Sequence, residues 1–235
     1  MTLELSAIVL CYKAGESIVS VITPLHELLE QEGVSFELVL VANYWPHQSD
    51  PTPHIVAEFA RTRPSVVVVA REKHGAMGWD MRSGFDAARG DTMILIDGDS
   101  QNPVQDVLRL YRLMRETNAD VGKGRRTARH DGLYRRGIST GYNLLFRVLF
   151  GRSGVWDVNG KPKAMTRAAY EKISIRSDDW FADAEIVLEA QRLGLKIVEL
   201  PVVFNRNDER ASFVRVGAIW EFVVHMARYR FRGVP

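Results

Sequence analysis

The sequence predicts an α/β protein: a mostly parallel central sheet flanked by helices, Rossmann-like in arrangement. Three observations carry that reading. Short apolar runs at 5–11, 36–42, 66–70 and 93–96 have the unbroken pattern of strands buried on both faces. Stretches with apolar residues at helical spacing lie between them. Strands and helices alternating at this rhythm imply right-handed crossovers and parallel neighbours.

Composition sets the outer bounds. A chain of 235 residues with 46% hydrophobic content can bury a full core and fits one large domain with a C-terminal extension, placed at 1–212 and 213–235. The 31 basic and 29 acidic residues nearly cancel, and a net charge of +2 gives no reason to expect a nucleic-acid partner. Cys11 is the single cysteine, so a disulfide framework is excluded and a reducing, cytoplasmic compartment is expected. The first residues carry no basic and apolar leader, and no run of about 18 apolar residues suggests a spanning helix.

The first strand ends at Cys11, and Tyr12 to Gly15 form the turn after it. Ile18, Val21, Ile22, Leu25, Leu28 and Leu29 mark a helix that Pro24 should kink or restart. After the second strand, 43–53 holds three prolines with aromatic and imidazole side chains, and reads as a loop that either packs on the surface or closes over a flat ring. A short helix over 55–62 leads to the third strand. The segment 71–80 is rich in glycine and cations, and opens a helix running through Arg82, Phe85 and Ala88. No Gly-x-Gly-x-x-Gly follows the first strand, which argues against a dinucleotide cofactor.

The fourth strand, 93–96, stops at Asp97-Gly98-Asp99-Ser100-Gln101-Asn102-Pro103. Asn102 is a good N-cap and Pro103 suits a first helical position, with Val104, Val107, Leu108 and Tyr111 behind them. The two acids therefore stand at a strand-to-helix crevice, where open α/β sheets bind ligands. Two carboxylates separated by glycine can hold a hard cation from one side, such as magnesium or manganese on a diphosphate. The plainer alternative is a solvated turn.

A fifth strand over 119–124 opens on Lys123, Arg125, Arg126, Arg129, Arg135 and Arg136, with Asp131 the only acid among them. Such a run is either a solvated face or, at a strand's carboxyl end, a site for an anionic group matched to guanidinium forks. A helix over 138–150 follows. The breaker-rich 155–165 reads as a loop and an edge strand. Asp179, Asp183 and Glu185 open a further helix, where acids can simply favour the helix dipole. A strand over 195–204 and a polar loop with Arg206 and Arg210 lead to 213–231. That segment is amphipathic and ends in aromatic and cationic residues, so it either packs on its own domain or lies on an anionic membrane surface.

With these segments placed, the chain resembles glycosyltransferase family 2 of the GT-A fold, and within it the dolichyl- or polyprenyl-phosphate sugar synthases. The likeness runs from Leu5 to about Ser212. Its most specific part, Asp97-Gly-Asp99-Ser-Gln101-Asn-Pro103, is similar to the family's Asp-x-Asp-x-Gln-x-Pro, whose acids and glutamine serve the metal and the diphosphate. Arg126, and Arg136 with Ser139 and Asn143, are similar to elements that hold acceptor phosphate. The stretch 157–163, with Lys161 and Lys163, resembles the lining of the sugar and acceptor site. Ser212, preceded by Arg206 and Arg210, resembles a loop that closes on the donor. The resemblance also assigns Tyr12, Glu16, Asn43, His74 and Gly75 to the nucleotide sugar. Departures are visible. Where the family ends its second strand with two aspartates, this chain has Ala42 and Asn43, and Lys13 follows Tyr12 where asparagine is common.

The resemblance implies a Mg2+- or Mn2+-dependent, inverting transfer of a sugar from a nucleotide-diphosphate sugar to a polyprenyl phosphate, with Asp97 and Asp99 at the reacting diphosphate. A phosphate acceptor is already mostly dianionic at neutral pH and needs placement by arginines more than a base. A hydroxyl acceptor would need a base, for which Asp183 is the candidate. A non-catalytic nucleotide- or lipid-binding domain is the remaining alternative. A peripheral position on the cytoplasmic face of a membrane follows if the acceptor is a lipid.

Overall fold

The computed structural model describes residues 3–129, 133–151, 154–205, 224–226 and 229, without the side chains of 128, 129, 133–136 and 138–140. Seven strands form one sheet: β1 (Leu5–Leu10), β2 (Phe36–Val41), β3 (Val66–Val69), β4 (Thr92–Asp97), β5 (Val121–Arg129), β6 (Lys163–Thr166) and β7 (Ile197–Phe204). Their order is β3-β2-β1-β4-β6-β5-β7. All pairings are parallel except those of β6, which runs against both β4 and β5. The mostly parallel sheet predicted from the unbroken apolar runs is what forms.

Side-chain alternation divides the sheet into two buried faces. Leu5, Ala7 and Val9 of β1, Leu38 and Leu40 of β2, and Ile94 and Ile96 of β4 meet one layer of helices. That layer holds α1 (Val19–Glu32), α2 (Thr52–Ala60) and α4 (Gln105–Thr117). Ile8, Leu10, Val39, Val41, Met93 and Leu95 point the other way, onto Met81 and Phe85 of α3 (Met77–Ala87), the short α6 (Arg167–Tyr170), and Ile186 and Ala190 of α7 (Ala182–Arg192). Each fully buried Leu, Ile or Phe in these layers contributes about 1.5–3 kcal/mol. Outside the sheet, α5 (Leu133–Phe150) packs Phe146 against Val155, Val187 and Leu188.

Three expectations need correcting. Pro24 does not restart the helix but lies inside a continuous α1; it is exposed near the helix start, as is Ser20, whose carbonyl loses its i+4 donor and can turn to water. Asn102 does not cap α4, which starts at Gln105 behind Val104: the helix begins two residues too late for the Asn102 oxygen to accept its first N–H groups, and the buried side chain instead donates from Nδ2 to the carbonyl of Lys161 at 3.0 Å. The edge strand expected in 155–165 is the interior strand β6, paired on both sides. Of the segment 213–235, only 224–226 and 229 are described: Met226 is buried in the α5–α7 cluster and the Tyr229 hydroxyl donates to Glu189 at 2.5 Å.

Candidate active site

The carboxyl edge of the sheet gathers the ends of β1 to β5 and β7 and the start of the reversed β6. Asp97 closes β4 in register with Leu10 of β1. The Gly98 N–H donates to the Leu10 carbonyl at 3.0 Å, and a Cβ at Gly98 would lie 2.5 Å from Ile18 Cδ1 and 2.8 Å from that carbonyl oxygen. Glycine thus lets the chain turn tightly against β1. Asp99 Oδ1 then accepts the Gln101 N–H at 3.0 Å across Ser100, whose φ is +60°. This side-chain-braced turn holds both partly exposed carboxylates at the strand's end.

Such a pair fits a hard divalent cation that completes its shell with water and diphosphate oxygens. Among the described residues no group of three or more His, Cys, Asp or Glu could hold a metal by itself, so the remaining donors would come from the ligand. Gln101, assigned by resemblance to the metal, is used differently by its described bonds. Its Nε2 donates to the Asn205 carbonyl at 3.1 Å and its own carbonyl accepts the Asn205 N–H at 2.8 Å. It tethers the acids to the exit of β7.

On the β1–β3 side, Tyr12 is partly exposed and its hydroxyl donates to Gln48 Oε1 at 3.1 Å. Lys73 sets its ammonium 4.4 Å above the Tyr12 ring and forms a buried ion pair with Asp80. Burial lowers the Lys73 pKa and raises that of Asp80, each partly opposed by the other's charge. Asn43 is fully buried: its Nδ2 donates to Asp80 Oδ1 and its Oδ1 accepts the Arg71 N–H, both at 2.9 Å. The residue expected to touch the nucleotide therefore braces the ends of β2 and β3 against α3. Gly75 has a packing role as well, since a Cβ there would meet Asp178 Cβ at 2.6 Å. His74 is exposed and packs edge-on to Trp79 at 5.1 Å, and Glu16 is exposed beside the β1 turn.

On the β5–β6 side lies a buried ionic network. Arg126 holds Asp157 with two bonds of 2.7 Å from Nε and Nη2, and its backbone N–H adds a third at 3.1 Å. Burial alone would raise the Asp157 carboxyl, but Arg126 and Lys123 outweigh it and hold it well below the usual carboxylate range. Lys161 and Lys163 both bond Asp183 Oδ1, at 2.7 and 2.5 Å. Burial pulls Lys163 down to about 7, helped by the charges of Lys161 and Lys123 and opposed by Asp183. For Asp183 burial acts upward, yet the two ammonium groups prevail and its carboxyl is lowered. Buried and doubly paired, Asp183 is a poor proton acceptor, which counts against the role of base weighed for it. Lys161 and Lys163 are likewise buried and turned to Asp183 rather than outward.

Arg206, Arg210 and Ser212 lie outside the described residues, as do the side chains of Arg136 and Ser139. The structure adds residues that the sequence reading passed over, the Lys73–Asp80 pair and Glu199, and gives Asn102 and Lys123 buried roles other than the cap and the cationic run in which they were read. Glu199 accepts the N–H groups of Trp156 and Asp157 and lies 3.6 Å from Lys123. The signal for Lys123 was its place: it stands between two glycines, ahead of the arginines, on a strand in the sheet's interior.

Paired acids at the carboxyl edge of a mostly parallel, Rossmann-like sheet define a class that known proteins share. The glycosyl transferase family 2 model matches residues 6–182, and the chain belongs to that family. Among curated relatives, glycosyltransferase AglD of Haloferax volcanii is 28% identical over 221 residues, which is 90% of this chain and 35% of that protein. Dolichyl-phosphate beta-glucosyltransferase ALG5A of Trichomonas vaginalis is 27% identical over 188 residues, 76% of this chain and 57% of the relative. The chain thus spans about a third to just over half the length of these relatives. Among solved structures, glucosyl-3-phosphoglycerate synthase from Mycobacterium tuberculosis, with Mn2+, UDP-glucose and glycerol 3-phosphate, superimposes with a TM-score of 0.74 at 18% identity, covering 99% of this chain and 81% of that one. Mannosyl-3-phosphoglycerate synthase from Rubrobacter xylanophilus gives 0.74 at 17% identity, covering 98% and 75%. At these identities the likeness establishes the GT-A fold.

Proposed function

We propose that the chain transfers a sugar, with inversion, from a nucleotide-diphosphate sugar to a polyprenyl phosphate of the dolichyl type. The observation that carries this reading is the state of Asp183. The acid at the acceptor side that could serve as a base is buried against two lysines and held below its ordinary range. An acceptor that brings its own dianionic nucleophile does not need it. Relatives named as dolichyl-phosphate glucosyltransferases support the same acceptor class.

Asp97 and Asp99 are the residues to hold Mg2+ or Mn2+, which when bound would supply charge neutralisation for the leaving nucleoside diphosphate. Structural neighbours crystallised with either ion support that choice. Tyr12 and the His74 loop lie on the donor side. Arg126 keeps Asp157 and the 157–161 loop in place on the acceptor side, while Arg125, Arg136 and Ser139 remain candidates for the acceptor phosphate. Backside approach of a phosphate oxygen to the anomeric carbon inverts its configuration.

The test is transfer from a panel of nucleotide sugars to a short polyprenyl phosphate, with Mn2+, with Mg2+ and with chelator. Lipid-linked sugar phosphate formed only with metal, and reduced about 100-fold or more in Asp97→Asn and Asp99→Asn, is expected. Metal-dependent donor hydrolysis with no transfer to lipid would move the acceptor to another class. Full turnover in both variants would remove the metal assignment.

A further inference from the structure

Three of the six large apolar side chains exposed among the described residues lie on α5 and the loop packed beside it. Leu144 is 62% exposed, Val148 72% and Trp156 58%. On a helix turning 100° per residue, Gly137, Gly141, Leu144 and Val148 fall within roughly 60° of one another, and Phe146, fully buried, lies on the opposite side. A Cβ at Gly137 or Gly141 would meet nothing within 4 Å among the described residues, so this outward stripe is smooth as well as apolar. A solvated helix shows charge opposite its buried face; α5 shows a second apolar face.

The flank of the stripe is cationic. Arg147 stacks its guanidinium 4.5 Å from the Trp156 ring and donates to the Trp156 carbonyl at 3.2 Å, and Arg125 stands 5.9 Å from the same ring. Indole with guanidinium groups around it, beside exposed aliphatic side chains, suits the boundary between anionic headgroups and acyl chains. Trp156 directly precedes Asp157, and Arg125 directly precedes Arg126, so the patch adjoins the acceptor side of the edge. The two arginines beside exposed aliphatic side chains favour an anionic partner, and anionic lipid headgroups neutralise them while the acyl region covers Leu144 and Val148.

We infer that the outward face of α5, with Trp156 and its two arginines, is the surface that seats the protein on an anionic bilayer. The inference rests on the lipid-phosphate reading for its choice of occupant. Docked this way, the acceptor side faces the headgroup layer in which a lipid phosphate would be presented.

The test floats the chain with vesicles of phosphatidylglycerol and phosphatidylcholine, and with phosphatidylcholine alone, and compares the double variant Leu144→Ser, Val148→Ser. Binding to the anionic vesicles, weakened by salt and reduced at least about tenfold in the variant, is expected. Turnover of a short, water-soluble polyprenyl phosphate should be the same in both proteins. Failure of the wild type to bind anionic vesicles, or equal binding by the variant, would overturn the inference. So would a dimer in sedimentation velocity that the variant abolishes, which would assign the face to a second copy. Absence of turnover of the short acceptor by the wild type would count against the proposed function alone, since flotation reads the surface independently.

Discussion

At the scale of single residues, the β5–β6 side of the edge is governed by how few carboxylates serve how many buried cations. Asp157 answers Arg126 directly and Lys123 through its charge. Asp157→Asn should cost about 3–5 kcal/mol, because it leaves the nearly buried Arg126 guanidinium without its carboxylate and the fully buried Lys123 ammonium with Glu199 as its nearest counter-charge. The sign with pH follows from the lowered carboxyl. The unfolded chain binds that proton at an ordinary pKa and the folded chain only at a lower one, so the stabilisation is complete above about pH 4 and fades as pH falls through the folded value. Urea midpoints of the wild type should fall on acidification below about pH 4, and those of Asp157→Asn more shallowly. Equal slopes would mean that the carboxylate is not the acid-labile group. Asp183 gives a kinetic counterpart. If the nucleophile is a phosphate, log kcat should rise with an apparent pKa near ~6 as the acceptor becomes dianionic. If Asp183 were the base, its lowered carboxyl would already be ionised and the profile would be flat from about pH 5 upward.

At the scale of elements, close backbone approach assembles the edge, and glycines permit it. A Cβ at Gly124 of β5 would lie 2.0 Å from the Lys161 carbonyl oxygen, and one at Gly160 would lie 1.9 Å from the Gly124 oxygen. Gly124→Ala should therefore cost on the order of 3 kcal/mol by forcing β5 away from the 160–162 loop. Gly141→Ala, on the open face of α5, should gain about 0.5–1 kcal/mol by helix propensity alone. Chemical denaturation of the two variants should shift in opposite directions, and a common sign would contradict these contacts. The same contrast explains which elements could be read from sequence. Strands β1 to β4 announce themselves because each is a local apolar run whose burial needs no partner to be inferred. β6 does not, since Lys163 opens it and its place between β4 and β5 depends on a long-range antiparallel pairing. The start of α4 differs for a related reason: Asn102 has the chemistry of a cap, but its side chain is anchored to a carbonyl 59 residues away and the helix begins only at Gln105. Asp97 and Asp99 were legible because they close an apolar strand. The Lys73–Asp80–Asn43 brace was not, because an amide–carboxylate hydrogen bond across 37 residues leaves no local pattern to mark the pair it joins.

At the scale of the whole molecule, the reversed β6 divides the edge into two halves that meet at Asp97 and Asp99. In the proposed reading the ends of β1 to β3 form the half that takes the nucleotide, and β5 with the 157–161 loop the half that takes the acceptor. The two halves share one rigid sheet but few polar groups, so ligand binding at one should stabilise the whole fold. Only a ligand that bridges the acids can exploit both carboxylates, and that requires a cation together with a diphosphate. A nucleoside diphosphate with Mn2+ at about a hundredfold above its Kd should add ~2.7 kcal/mol of stability. For a domain of this size that corresponds to a rise in Tm of roughly 5–10 °C. The nucleotide without metal, or the metal without nucleotide, should give a much smaller rise, and chelator should abolish the joint effect. Asp99→Asn should remove it while leaving the unliganded Tm close to that of the wild type, because Asp99 is partly exposed. A full shift in Asp99→Asn would place the nucleotide elsewhere on the sheet edge. A full shift with nucleotide alone would mean that binding rests on the Tyr12 side without the acids, and would separate recognition of the base from neutralisation of the diphosphate.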